Sequence, residues 1–201
     1  NSASSSGGGL FQQAGSVHVE RASFLSNWGR QIGGGVFTYS LLELVNTTLS
    51  GNRASIGGGL FGGITPAVML TNVTVAANRA RQGAGLMNNS TILLRNTIVA
   101  DNKPFDCGGL PVESLGYNVA GDASCLLPRA SDLQSVDARL DRLNENGSRL
   151  PSHALLPGSP AIDSANNSYC PAEDQRSQPR PRDGNGATHA QCDRGAFEVQ
   201  P

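Results

Sequence analysis

The sequence predicts an all-β fold: a right-handed parallel β-helix, a solenoid of about four coils over residues 1–103, with an irregular, disulfide-pinned C-terminal cap over residues 104–201. Three features keep one period and predict it. A glycine phrase recurs as Gly7-Gly8-Gly9-Leu10, Gly33-Gly34-Gly35-Val36, Gly57-Gly58-Gly59-Leu60 and Gly83-Ala84-Gly85-Leu86, its starts 26, 24 and 26 residues apart. An alternating apolar pair recurs as Val17/Val19, Leu42/Leu44, Val68/Leu70 and Ile92/Leu94. An asparagine recurs at Asn27, Asn52, Asn78 and Asn102, in steps of 25, 26 and 24. A fixed period in this range is the mark of a stacked repeat, each unit burying its apolar face only against its neighbours.

Each coil begins with the glycine phrase, whose positive φ permits a sharp bend into a strand. The alternating pair follows; alternation sends Leu42 and Leu44 inward and Glu43 outward. A polar turn comes two residues later at Arg21, Asn46, Asn72 and Asn96. A short strand then carries Phe24, Leu49, Val75 and Val99 and leads to the second asparagine. Asparagine at both turns suits left-handed backbone and local bonding. Stacked in register, the amides can also form ladders along the axis. Phe11, Phe37, Phe61 and Met87 each follow an inward Leu or Val, so they point outward as an apolar column. Three readings of it stay open: cover by a later segment, a platform for sugar rings, or an interface with another subunit. Trp28 and Tyr39 are single exposed candidates, read first as turn packing.

Composition agrees with a thin core. Aromatic residues are 5% of the chain and glycines number 25 of 201, too lean for one large globular interior. Net charge is −1 and Lys103 is the only lysine, which argues against a nucleic-acid partner. No apolar run is long enough for a transmembrane segment. With no leader before Asn1, the chain reads as mature or trimmed. Asn1 to Ser6 offer no cap, so the first coil's edge is expected to meet further chain or another molecule.

Periodicity ends near Asn102. Ten of the 11 prolines follow it, and before Asp101 the only acidic residues are Glu20 and Glu43. Residues 131–147 fit a short helix, with Ser131 as its cap and Gly147 ending it. The four cysteines, Cys107, Cys125, Cys170 and Cys192, show no zinc spacing. An even number in loop-rich sequence suggests disulfides and an extracellular setting. Of three possible pairings the sequence-local ones, Cys107–Cys125 and Cys170–Cys192, are favoured.

A longer set of motifs runs from Asn96-Thr97-Ile98-Val99-Ala100-Asp101-Asn102 through Asp106-Cys107, Leu115-Gly116-Tyr117-Asn118 and His153-Ala154-Leu155-Leu156-Pro157-Gly158-Ser159-Pro160-Ala161-Ile162-Asp163. It continues with Cys170-Pro171, Asp174-Gln175-Arg176, Arg180-Pro181, Asp183-Gly184 and Cys192-Asp193-Arg194-Gly195-Ala196-Phe197-Glu198. This resembles the end of the choice-of-anchor Q family of secreted bacterial proteins with parallel β-helix repeats. The resemblance implies a surface location and no common activity. It also implies a sorting or anchoring tail after Glu198, where Val199-Gln200-Pro201 follow here, and a Gly at the position of Ser177.

Fold alone does not carry function, and lyases and hydrolases also use β-helices. Before Asp101 the only carboxylates, Glu20 and Glu43, lie on neighbouring coils with His18 in the same outward row. They read either as solvated charges or as a carboxylate pair with an acid–base partner. No catalytic, cofactor or metal residue is assigned. Asp174, Asp183 and Asp193, with Asp183-Gly184-Asn185-Gly186, leave a structural calcium as an option, against local turn bonding and pairing with Arg176, Arg180, Arg182 and Arg194. Glycosylation acceptor patterns at Asn46, Asn72, Asn89, Asn146 and Asn166 read as ordinary turn and strand chemistry. The expected function is non-enzymatic, structural or adhesive, with the chain itself or cell-surface polysaccharide as partner. The alternatives are a polysaccharide-active enzyme and an inert spacer.

Overall fold

A computed structural model describes residues 1–63, 67–186 and 189–201. The chain is a β-solenoid of parallel strands with three main sheets, and among the described residues its only helices are two short 3-10 turns, Ala123–Cys125 and Asn167–Tyr169. The glycine sheet stacks Leu10–Gln12, Val36–Thr38, Leu60–Gly62, Leu86–Asn88 and Cys107–Gly109. The alternating sheet stacks Ser16–Glu20, Leu41–Val45, Val68–Thr71, Ile92–Arg95 and Glu113–Ser114. The third sheet stacks Ser23–Leu25, Thr48–Ser50, Thr74–Ala76, Ile98–Ala100, Val119–Ala120 and Leu133–Gln134. Every pairing between these strands is parallel, as in Leu42↔Val68↔Ile92.

The alternation does what the pattern requires. Leu42 and Leu44 are fully buried while Glu43 between them is exposed. Leu42, Leu44, Leu49, Leu60, Leu70, Leu86, Ile92 and Leu94 fill the axis. At roughly 1.5–3 kcal/mol for each such side chain taken from water, this column is the main force holding the coils together. Two glycine positions show why the phrase repeats. Gly57 has φ +66, a left-handed bend. At Gly58 a Cβ would stand 2.6 Å from the carbonyl oxygens of both Arg79 and Ala84, backbone that cannot move aside.

The asparagine ladder forms. Oδ1 of Asn52 accepts both the backbone N–H and the amide of Asn27, at 2.9 and 3.0 Å. Asn78 does the same for Asn52, and Asn102 for Asn78. The ladder ends at Asp106, whose Oδ1 accepts from the Asn102 amide at 2.9 Å and whose Oδ2 accepts from Gly121 N–H. A carboxylate accepts without donating, so it closes the ladder with no amide left in need of an acceptor. The left-handed residue at this turn is the one before each asparagine: Ser26, Gly51, Ala77 and Asp101. At the other turn Arg21, Asn46, Asn72 and Asn96 are themselves left-handed, with φ between 46 and 50.

Two expectations change beyond Asn102. The stack runs on without its sequence signature: strands Cys107–Gly109, Glu113–Ser114, Val119–Ala120 and Leu133–Gln134 extend all three sheets, giving about five turns. The helix expected over 131–147 is absent. Ser131 Oγ accepts from Tyr117 N–H, and Asp132 Oδ1 accepts the Asn118 N–H and amide. The side chains that suit a helix cap instead join one coil to the next, ending a second polar column of Thr97, Asn118 and Asp132.

Residues 150–199 do more than cover an end. They turn back along the outside of the third sheet as a brace. Glu173 pairs with Arg21 on the first coil. Gln175 bonds Thr48 and Ser23, Ala196 N–H donates to Thr74, and Gly195 N–H donates to Asn96 C=O. The turn asparagines are the docking points: the Asn46 amide donates to Glu173 C=O, Asn72 to Asp193 C=O and Asn96 to Asn166 C=O. Disulfides join Cys107 to Cys125 and Cys170 to Cys192, closing separations of 18 and 22 residues.

Candidate functional site

With the brace on the third sheet, the glycine sheet, the alternating sheet and the turn between the third and glycine sheets carry the remaining outward rows. On the glycine sheet the apolar column is continuous, with Phe11, Phe37, Phe61 and Met87 in register. Phe11 and Phe37 have ring centroids 5.3 Å apart, and Phe37 and Phe61 5.2 Å. The brace contacts lie on another sheet, yet Phe37 and Phe61 are buried, and Met87 is half-buried. The Gly33 and Gly57 bends lie close against the Cβ atoms of Phe37 and Phe61, and the Tyr39 ring meets Phe37 edge-on at 4.5 Å. Phe11 and Tyr39 stay exposed, and with Ser5, Ser6 and Phe37 they line a depression of about 310 Å³. Tyr39 is thus both turn packing and an exposed ring.

On the alternating sheet, His18 and Glu43 face each other across the first two coils, His18 Nδ1 standing 3.0 Å from Glu43 Oε2. Glu20 is aligned with Val45 rather than Glu43, and its carboxylate lies 3.9 Å from His18 Nε2. All three side chains are about half exposed. The row is therefore a histidine flanked by two carboxylates in solvent.

The brace interior is charged. Asp174 accepts from Arg176 Nε and Nη2 and from the N–H groups of Arg176, Gln178 and Glu198. Arg180 lies 3.4 Å from Glu198, both side chains fully buried. Among the described residues Arg194 makes no ion pair; it donates to Ser164 and to Asn118 C=O. Burial, and next the charge of Glu198, pushes the Asp193 carboxyl up to about 7. Burial likewise lifts Asp106 to about 6, against the hydrogen bond from Asn102. His153 is held below its usual value by burial, between Ser50 Oγ and Asp141 C=O. In the Asp183-Gly184-Asn185-Gly186 loop, the Gly184 and Asn185 N–H groups donate to Asp163 and Gly186 N–H to Asp183. Among the described residues, no three His, Cys, Asp or Glu side chains are grouped to hold a metal ion. Of the glycosylation patterns, Asn46 and Asn72 are buried under the brace while Asn89 is exposed.

Sequence reasoning missed one cluster. Arg53, Arg79 and Lys103 each follow a ladder asparagine, and the structure stacks them. Net charge hid them, although their position in the repeat was readable. No protein-family model, no curated protein and no solved structure matches the chain.

Proposed function

We propose that this chain is an extracellular, non-enzymatic β-solenoid, structural and adhesive, that holds surface carbohydrate on its open faces. The carrying observation is the brace. Its contacts run from Arg21 on the first coil to Asn96 on the fourth, tying the stack lengthwise. A rod stiffened along one side presents fixed rows of side chains on the others. Exposed rings at Phe11 and Tyr39 with nearby serine hydroxyls suit a sugar, which offers an apolar ring face and polar edges. Two disulfides and the resemblance to choice-of-anchor Q proteins support the oxidising, extracellular setting.

The test incubates the purified chain with neutral and acidic polysaccharides, reading both retention and chain cleavage. Retention without cleavage, weakened by Phe11→Ala with Tyr39→Ala, is the expected result. Release of shortened chains that stops in Glu43→Gln would assign the His18–Glu43 row to catalysis and overturn the reading. Light scattering on the same samples tests self-assembly, which would redirect the exposed faces to contacts between copies.

A further inference from the structure

The turn between the third sheet and the glycine sheet carries a ladder of cations. Trp28, Arg53, Arg79 and Lys103 are aligned one above another on successive coils. Arg81 flanks the row on the third coil and Arg30 on the first. All six side chains are exposed. None of the five cationic groups makes an ion pair or a side-chain hydrogen bond among the described residues. At its Lys103 end the row meets an acidic pocket, which Lys103 lines together with Asp101, Asp106, Asp122 and Asp137. Between the arginines lie only Ala54, Ser55 and Ala80, leaving a shallow groove of about 380 Å³. Paired strands set the vertical step at about 4.8 Å. The coils before Pro104 hold seven of the 15 cationic residues and three of the 16 acidic ones, so the ladder stands on the basic part of a nearly neutral chain.

We propose that this ladder binds a linear polysaccharide carrying a carboxylate on each sugar, laid parallel to the solenoid axis. The idea rests on the carbohydrate-holding reading above and names the ligand class. Stacked like charges repel, and a polyanion along the row removes that repulsion. The planar guanidinium forks of Arg53, Arg79 and Arg81 match carboxylates in a two-bond geometry. The step of one strand is comparable to the length of one sugar in an extended chain. Trp28 offers a flat face at the end of the row for a sugar ring. Nucleic acid fits less well. A duplex winds its phosphates away from a straight ladder, at about 3.4 Å per strand. A single strand needs several stacking rings, and this row has only Trp28.

Binding of polygalacturonate, dextran and poly(dT) to the intact chain, measured from low to high salt, decides the matter. Polygalacturonate is expected to bind, with log affinity falling linearly against log salt. Combined Arg53→Ala, Arg79→Ala and Arg81→Ala should cut affinity at least about tenfold and flatten the salt slope by about one per cation removed. These side chains are exposed, so circular dichroism should be unchanged. Arg142→Ala with Arg149→Ala, exposed elsewhere, should leave binding intact. Trp28→Ala should weaken binding with no change in slope. An unchanged slope in the triple variant, or tighter binding of poly(dT), overturns the proposal. Retention of dextran alone would overturn it while leaving the carbohydrate reading standing; retention of neither sugar would remove both.

Discussion

In the coil stack one polar device is used coil after coil, whereas in the brace each polar contact is made once. The ladder from Asn27 to Asn102 is neutral, and every amide meets the same amide one coil up. The brace holds Asp174, Arg176, Arg180, Asp193 and Glu198 together, with charges buried and each pair made once, Arg176 with Asp174 and Arg180 with Glu198. Neutral repetition spreads the consequence of one defect over two neighbours. A charged, non-repeating cluster concentrates it, because removing one partner leaves the other buried and uncompensated.

The largest difference should come from Glu198→Ala. It leaves the Arg180 guanidinium buried without its nearest carboxylate and strips acceptors from the Arg182 and Asp193 N–H groups. A loss of about 3–5 kcal/mol is expected, localised to the brace. Hydrogen exchange should show residues 150–199 losing protection while the Leu42 to Val99 coils keep theirs. Simultaneous loss in both regions would mean that brace and stack form one cooperative unit.

Next in size is Asn78→Ala. Asn78 donates to Leu49 C=O and Asn102, and accepts twice from Asn52. Unsatisfied groups on both sides should cost about 3 kcal/mol. Asn27→Ala, at the end of the ladder, severs one link and should cost about 1 kcal/mol. Urea unfolding of the two variants measures the ratio; equal losses would show that the ladder contributes little beyond local turn bonding.

The same contrast explains what was legible. Period, inward leucines, glycine bends and amide ladder all follow from one rule applied in each coil, so a single chain displays them several times. The turn near Tyr117 and Asn118 obeys the same geometry, with Tyr117 left-handed where Asn96 is. Here the polar column ends on Asp132, which accepts from Asn118. Ser131 and Asp132 carry a helix-cap signal locally, but their oxygens accept from N–H groups 14 residues back. Long-range partners of this kind leave no pattern in sequence. The brace was unreadable for the same reason: Thr48 with Gln175 and Asn72 with Asp193 are each single events. In the candidate faces, the Phe11, Phe37, Phe61 and Met87 register was readable. The contact of Tyr39 with Phe37 and the burial of Phe37 and Phe61 were not.

Titration separates the two regions more gently. Asp193 in the brace and Asp106 in the ladder both sit above the ordinary carboxylate value, near 7 and near 6. Between about pH 4 and those values the folded chain keeps protons that the unfolded chain has released, so stability falls as pH rises through that range. His153 acts oppositely: folded it resists protonation, so acid below about pH 6.5 destabilises. The window free of that opposition is about pH 8 to 6.5. There the melting temperature should rise on acidification, with brace protection strengthening before that of the ladder. A flat or falling profile would show that Asp193 is ionised throughout.

The smallest effect tests a single backbone position. Ser177 has φ +64, the left-handed conformation that glycine adopts freely. A left-handed non-glycine residue costs roughly 1–2 kcal/mol, and glycine's greater freedom in the unfolded chain returns part of any gain. Ser177 Oγ makes only a long contact with Arg21, at 3.5 Å, so little is lost with the side chain. Ser177→Gly should therefore stabilise by about 0.5–1 kcal/mol. The gain should appear in brace protection and not in the coils. Destabilisation would show that the Arg21 contact outweighs the strain, and that the brace depends on its tie to the first coil.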